Sequence, residues 1–435
     1  MKTLYLLAQS FFFFSLSLPA FSQPFITTWK TDNPGTSNST SITIPTFPGE
    51  SYSYDVDWDN DGVFDEFGIT GDVTHDFGVA GTYTIRIQGT FPRIYFNFGG
   101  DKQKITDISQ WGSIAWSSMQ NAFTGCTNMT YSALDAPDLS IVTNMSGMLE
   151  FASSFDGDLS NWDVSNVTNM DHLFGGAASF NGNISNWDVS NVTNMSSMFA
   201  NASSFNGDIS NWDVSNVTSM SAMFAEATAF NGDLSAWDVG NVTHIDFMFS
   251  LACAFSSDLS AWNVSKVEYM GYTFFCAANF NSDLSSWDVS KVEGMDFMFS
   301  GATSFNSDLS TWDVSNVTNM LFMFNSTSSF DQDLGSWNLN PSVNIMYLLD
   351  NSGLSIANYD NTLIGWESQG ISGLSLGAAG LEYCTGEPAR TSLINNYGWF
   401  ISGDALNCPA IPSFISTWKT DNPGTSSPTE ITIPT

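Results

Sequence analysis

The sequence predicts an α/β solenoid with one short strand and one short helix in each 25-residue coil, preceded by a small all-β, sandwich-like module. Three observations support this prediction: tryptophans at constant spacing, apolar residues at helical spacing within each repeat, and alternating residues near the N-terminus. The tryptophans stand 25 residues apart, at Trp162, Trp187, Trp212, Trp237, Trp262, Trp287, Trp312 and Trp337. Self-similarity at this period is typical of stacked repeats, because one coil cannot bury its apolar face alone.

The repeat predicts its own secondary structure. Aligned on the tryptophan, it reads F-N-G-D-L-S-x-W-D-V-S-N-V-T-N-M-S-x-M-F-x-x-A-x-S. Met195, Met198 and Phe199 have the i, i+3, i+4 spacing of a helix. The segment from Asn183 to Ser185 suits a short strand, entered through the turn dipeptide Asn181-Gly182. Each coil is therefore expected to contain one strand and one helix.

The apolar columns of the repeat predict a continuous core. Phe, Leu or Ile, Trp, Val and Met recur at the same place in nearly every copy. Stacked copies would place like residues over like residues and bury them. For the tryptophan column, stacking on sugar rings is the alternative to a core role.

The repeat D-L-S-x-W-D-V-S-N-V-T-N-M-S-x-M-F resembles that of bacterial surface proteins with BspA-type leucine-rich repeats, which also occurs as a lipoprotein-like repeat. The resemblance covers residues 101–350. It implies a leucine-rich-repeat-like solenoid at the cell surface, often associated with adhesion. It implies no catalytic residues.

The ends of the chain predict four further segments. Residues 1–22 have the charge, apolar run and small residues of a secretory signal peptide. Residues 351–408 follow the repeats and are expected to form a C-terminal cap. Residues 409–435 contain a linker and then Phe414 to Thr425, which nearly copies Phe25 to Thr36, so we expect a truncated second β module and a longer protein.

Residues 23–100 are expected to form the all-β module. Tyr54 and Val56 alternate with polar residues, and so do Ile85 and Ile87. The words V-D-W-D-N-D-G and H-D-F-G-V-A-G-T-Y-T resemble signature segments of PKD-like β-sandwiches. This resemblance implies a spacer module.

One stretch of this module is a candidate metal site. Asp57, Asp59, Asp61 and Asp65 fall at positions 1, 3, 5 and 9 of an EF-hand-like loop, with glycine at position 6. Gly68 stands where the acidic residue of position 12 would be. Two interpretations stay open: a calcium loop, and a plain turn between strands, which the missing acidic residue favours.

Composition limits the partners. Ten Lys and Arg stand against 44 Asp and Glu, and the formal charge of −34 would repel phosphate backbones and anionic headgroups. We therefore predict no nucleic-acid partner, and no stretch after the signal peptide is long enough for a membrane span. The expected partner is an extracellular protein or a glycan, and the expected location is secreted or at the cell surface.

The sequence favours binding over catalysis. His75, His172 and His244 lie in unrelated contexts, and the aspartates recur in equivalent places, whereas catalysis needs one distinctive site. We predict a non-catalytic protein that mediates adhesion or ligand binding. The alternatives are a structural spacer of the cell envelope and a carbohydrate-active enzyme.

Three smaller features of the sequence, its aspartate columns, two lysines and two cysteines, also lead to predictions. Columns of aspartate, represented by Asp208 and Asp213, suggest turn capping, with cation or ligand binding as the alternative. Lys266 and Lys291 replace asparagines of the repeat, which suggests a salt-bridging turn with nearby glutamates and a place where a site could break the symmetry. Cys384 and Cys408 bracket the cap, where a disulfide and two free thiols are both open.

Overall fold

The N-terminal part of the chain forms β-strands, as the alternation of its apolar and polar residues predicts. The computed structural model describes residues 23–408, so the predicted signal peptide and the segment 409–435 lie outside the described residues. The strands that precede the repeats are β1 (Phe25–Lys30), β2 (Ser41–Ile44), β3 (Ser53–Asp57), β4 (Glu66–Ile69), β5 (Val73–Asp76), β6 (Thr82–Thr90), β7 (Ile105–Gln110) and β8 (Thr130–Tyr131).

Six of these strands form one sheet in the order β4-β3-β6-β1-β7-β8, while β2 and β5 pair separately. The neighbours within the six-stranded sheet are antiparallel except β7 and β8, which are parallel. Tyr54 and Val56 on β3 and Ile85 and Ile87 on β6 are buried, so the apolar residues of the alternating pattern form one inward face of the sheet. Because β7 and β8 follow residue 100, the sheet runs directly into the first coils.

The coils between β8 and the C-terminal cap consist of turns and single-residue parallel bridges. The bridges link equivalent residues of successive coils, for example Asn169 to Asn194 and Asn319 to Asn344. Successive coils therefore lie parallel and in register. We call residues 132–355 the repeat stack.

The predicted α/β solenoid, leucine-rich-repeat-like with a helix and a strand in each coil, is wrong. The described part of the chain has two helices, and both follow the repeat stack. Within a coil, residues such as Ser197 and Asn201 have positive φ values of 53° and 59°, a conformation that stops a right-handed helix.

The hydrogen bonds show the same departure from a helix. The N–H of Ser197 donates to the carbonyl of Ser221 in the next coil at 2.8 Å, and the N–H of Ala200 donates to the Ser197 carbonyl at 3.1 Å. Neither is the i to i−4 bond of an α-helix. The expected strand near Asn183 is also absent, because the Asn183 side chain accepts the Ser185 N–H at 3.1 Å and holds a turn.

The predicted core columns are confirmed. Phe174 stacks on Phe199 with ring centroids 5.6 Å apart, and Trp187 on Trp212 at 6.3 Å. The repeat tryptophans are buried, and each Nε1–H from Trp187 onward donates to a carbonyl of the preceding coil, as Trp187 does to Leu159 at 3.0 Å. Because both ring and N–H are used inside the protein, the tryptophan column has no face left for sugar stacking.

A small helical and stranded unit covers the last coil. It consists of α1 (Ile356–Glu367), β9 (Ser375–Gly377), β10 (Glu382–Tyr383), α2 (Glu387–Asn395), β11 (Phe400–Ser402) and β12 (Ala405–Leu406). Trp366 on α1 is buried and donates its Nε1–H to the Leu334 carbonyl at 2.9 Å. Cys384 and Cys408 form a disulfide, which decides between the two open interpretations.

Candidate functional site

The loop between β3 and β4 brings together three of the four predicted metal ligands. Carboxylate oxygens of Asp57, Asp59 and Asp61 lie within 4.8 Å of one another. Asp57 ends β3 and is fully buried, whereas Asp59 and Asp61 are exposed. Asp65 is not in this group, and its Oδ2 accepts the backbone N–H of Trp58 at 2.9 Å.

The same carboxylates also hold the loop as a turn. Asp59 Oδ1 accepts the Asp61 N–H at 3.2 Å, and Asp61 Oδ1 accepts the Val63 N–H at 2.7 Å. Asp57 Oδ2 accepts the N–H of Gly62, whose φ of 94° favours glycine. These bonds belong to a turn, and they leave the carboxylates clustered.

Charge in the loop is only partly balanced. Arg86 Nε lies 3.7 Å from Asp57 Oδ2, and the Arg86 side chain also donates to the side chain of Asn60. Asp57 Oδ1 is buried and has no hydrogen-bond partner. The cluster therefore holds three carboxylates, one guanidinium and an unsatisfied buried oxygen.

A second feature is a ladder of aromatic rings on the surface of the repeat stack. The rings stack face to face at 4.5, 4.6, 4.8 and 4.5 Å between centroids. We call these five residues the aromatic ladder: Phe247, Tyr272, Phe297, Phe322 and Tyr347. The two end residues are about 40% exposed and the three middle ones are half-buried.

The aromatic ladder breaks the symmetry of the repeats. Four earlier coils have Gly147, His172, Ser197 and Ala222 at the equivalent position. All five ladder residues have positive φ, between 55° and 59°. Sequence reasoning missed this ladder because it followed columns shared by every copy, although an aromatic residue every 25 positions from residue 247 is visible in the sequence.

Charged residues border the aromatic ladder. Tyr269 is exposed, stacks on His244 at 6.0 Å, and its hydroxyl donates to Glu293 at 3.4 Å. Glu293 helps line a shallow cleft of about 600 Å³ with Glu268, Lys291, Asn316 and Thr318. Burial raises the pKa of Asp296, the residue just before Phe297.

The lysines of this region do not form the predicted salt-bridging turn. Among the described residues, neither Lys266 nor Lys291 forms an ion pair with a glutamate. Lys266 Nζ donates instead to Asn241 Oδ1 at 2.6 Å. The two lysines are nevertheless close in sequence to the aromatic ladder.

The aspartate columns cap turns, as predicted. Asp208 Oδ1 accepts the Ser210 N–H at 3.0 Å and the Ser210 hydroxyl at 2.7 Å, and these bonds lower the pKa of Asp208. Asp213 Oδ1 accepts the Ser215 N–H at 3.1 Å in the same manner. These aspartates have a structural role in the turns.

Comparison with known protein families assigns the repeats to a family. A family model described as "Mycoplasma protein of unknown function, DUF285" matches residues 117–217, 182–278 and 255–361, which together span more than half of the 435 residues. The chain belongs to the DUF285 family. The DUF285 matches overlap along the repeat stack and include the aromatic ladder.

Further comparisons add no function to the DUF285 assignment. Searches of curated proteins and of solved structures found no match. None of the helices in residues 23–408 has both the length and the apolar character required to cross a membrane.

Proposed function

We propose that this protein is a secreted, non-catalytic binding protein of the cell surface that mediates adhesion by contacting a basic protein partner. The observation that carries the proposal is the aromatic ladder, a partly exposed row of stacked rings across five coils. Contiguous exposed apolar patches mark interaction sites in soluble proteins.

The fold itself does not require the aromatic ladder. Coils with Gly147, Ser197 or Ala222 at the equivalent position form the same turns. Ser197 and Ala222 share the left-handed conformation of the ladder residues, but only the aromatic rings expose a large apolar surface to water, which is unfavourable. Five consecutive aromatic residues at such a position therefore favour a role outside the fold.

The arrangement of the rings favours a protein partner over a glycan. Sugars stack on the faces of aromatic rings, but the faces within the aromatic ladder are covered by neighbouring rings about 4.6 Å away. The ladder offers ring edges along its length, which suit the T-shaped packing of other aromatic side chains. This geometry therefore favours aromatic side chains of a protein partner.

Charge indicates the kind of protein. The formal charge is −34, and Lys266 and Lys291 are the only lysine or arginine residues between residues 105 and 389. A basic partner would be attracted to this surface, and its association would weaken with added salt.

The distribution of carboxylates supports a non-catalytic function. The aspartates of the repeat stack, such as Asp208 and Asp213, cap equivalent turns in successive coils. Catalytic carboxylates require different environments that separate their pKa values. Binding is therefore favoured over glycan hydrolysis.

An array of extracellular-matrix proteins and glycans, probed with the whole protein, tests the proposal. We expect saturable binding to basic proteins that weakens with salt. Phe297→Ser, in the middle of the aromatic ladder, should weaken binding at least tenfold, about 1.4 kcal/mol. The matched control is Ala222→Ser, which changes the same position of a coil outside the ladder.

Each other outcome contradicts a part of the proposal. Equal binding by Phe297→Ser and Ala222→Ser would remove the aromatic ladder as the binding surface. Binding to glycans alone would replace the protein partner, and hydrolysis of an arrayed glycan would identify an enzyme. Absence of binding to every array member would favour a structural spacer.

A further inference from the structure

We propose that the loop from Asp57 to Asp65 is a calcium-binding site, with Asp57, Asp59 and Asp61 as its carboxylate ligands. The site lies in the N-terminal sheet, in a different part of the molecule from the aromatic ladder. It is therefore independent of the proposed binding function.

The buried carboxylate of Asp57 is the strongest argument. Asp57 is 0% exposed, and its Oδ1 has no hydrogen-bond partner. Burying a charged oxygen without a partner is costly, so such oxygens in proteins are paired or coordinate metals. Arg86 and Gly62 both contact the other oxygen, Oδ2, and leave this need unmet.

The two neighbouring carboxylates complete a cluster that a cation would stabilise. Ligand oxygens of Asp57, Asp59 and Asp61 lie within 4.8 Å of one another. Like charges this close repel one another, and the repulsion is stronger where burial excludes water. One guanidinium, that of Arg86, offsets only part of three negative charges.

The donor set selects the kind of cation. Every side-chain ligand is a carboxylate oxygen, which favours hard cations such as calcium and magnesium over zinc or copper. In a loop numbered from Asp57, the carbonyl of Val63 stands at position 7 and Asp65 at position 9, where calcium loops supply a backbone oxygen and a water-mediated ligand. Calcium accepts six to eight such oxygens in flexible geometry, whereas magnesium requires a strict octahedron.

The loop does not need the acidic residue that is missing at position 12. In an EF-hand that residue comes from the helix that follows the loop, whereas here the strand β4 begins at Glu66. The hairpin instead closes through the Asp65 N–H, which donates to the Val56 carbonyl at 2.9 Å. This bond closes the loop at the ends of the two strands.

Isothermal titration calorimetry of the whole protein with calcium chloride tests the site. We expect one saturable site per chain and weaker binding of magnesium chloride. Asp59→Asn keeps an oxygen to accept the Asp61 N–H and removes one charged ligand, so calcium affinity should fall at least tenfold. The matched control is Asp213→Asn, which removes a carboxylate that makes the same kind of turn bond in the repeat stack.

Three results would overturn the proposal. They are no saturable calcium binding by the unmodified protein, equal binding by Asp59→Asn and Asp213→Asn, and tighter binding of magnesium than of calcium. Because Asp59 is exposed, its variant should melt like the unmodified protein without calcium. A thermal melt by circular dichroism verifies this, and Asp61→Asn provides a second test if Asp59→Asn does not fold.

Discussion

At the scale of single residues, the tryptophan column joins each coil to the coil before it. The ring of Trp237 is 3% exposed, and its Nε1–H donates to the Ile209 carbonyl at 3.1 Å. Packing and hydrogen bonding therefore act at the same position. The two contributions can be separated by substitution.

We predict that Trp237→Ala lowers the free energy of unfolding by about 3–5 kcal/mol, as a large cavity in a core does. Trp237→Phe keeps an aromatic ring and removes the N–H, so it should cost less, about 1–3 kcal/mol for an unsatisfied carbonyl. Equilibrium denaturation in urea measures both values. A loss below about 1 kcal/mol for the alanine variant would contradict a core position.

Burial was the property that the sequence predicted best, because side chains that recur every 25 positions must occupy equivalent environments. The buried positions of Trp187, Phe199 and Met198 were all predicted from that recurrence. The hydrogen-bond partners were not predicted, since the Nε1–H of Trp187 donates to a carbonyl 28 residues away. Such pairing depends on how the coils are offset, which apolar spacing alone does not define.

At the scale of elements, the decisive feature is the left-handed residue. Met195, Met198 and Phe199 have helical spacing, yet the positive φ of Ser197 converts the segment into successive turns. Serine is not a typical residue for this conformation, so local sequence gave no signal. The bonds between coils, such as that from Ser197 to Ser221, compensate for the local strain.

Glycine substitutions distinguish these turns from a helix. Ala222 has a φ of 55°, whereas Ala225 in the same turn segment is not left-handed. We predict that Ala222→Gly raises the free energy of unfolding by about 0.5 kcal/mol, because relief of about 1–2 kcal/mol of strain exceeds the entropic cost of glycine. Ala225→Gly should lower it by about 0.5–1 kcal/mol.

Urea denaturation of the two glycine variants provides the measurement. In a helix, both substitutions would destabilise the protein by about 1 kcal/mol. Opposite signs at positions 222 and 225 are therefore the expected result. Equal losses at both positions would contradict the left-handed conformation of Ala222.

At the scale of the whole molecule, the sequence predicted the aspartate cluster but not the aromatic ladder. The spacing of Asp57, Asp59 and Asp61 identified a cluster that the structure brings together, because a hairpin loop places alternate residues on one side. Asp65, the fourth residue of that spacing, lies outside the cluster, and its carboxylate accepts the backbone N–H of Trp58. The aromatic ladder depends on which coils carry the rings, so it became evident only when stacked coils placed Phe297 against Phe322.

Carboxylates with opposite pKa shifts determine how the whole protein responds to pH. Burial raises the pKa of Glu150, while hydrogen bonds from serine lower the pKa values of Asp163, Asp208 and Asp213. The hydrogen bond to Asp171, at 2.8 Å, raises the pKa of His172. The two classes of shift act in different pH ranges.

The direction of each pKa shift on folding determines whether that group stabilises the protein at low or at high pH. The stability from His172 is fully present below its unfolded pKa of about 6.5 and is lost as pH rises through the folded value. Protonation of Glu150 also favours the folded state as pH falls toward its unfolded pKa of about 4.3. The aspartates with lowered pKa values have the opposite effect, since the stability that they contribute to the protein is lost as pH falls below about 3.9.

We therefore predict a maximum in the free energy of unfolding between about pH 4.5 and 6, with lower values at pH 3 and at pH 8. Self-repulsion does not add to the decline on the alkaline side, because the carboxylates are already ionised above about pH 6. Urea denaturation at intervals from pH 3 to pH 8 measures the curve.

His172→Asn should reduce the decline between pH 6 and 8, and Asp213→Asn should reduce the decline below pH 4. A stability that rises steadily from pH 3 to 8 would show that the capping aspartates outweigh the buried groups.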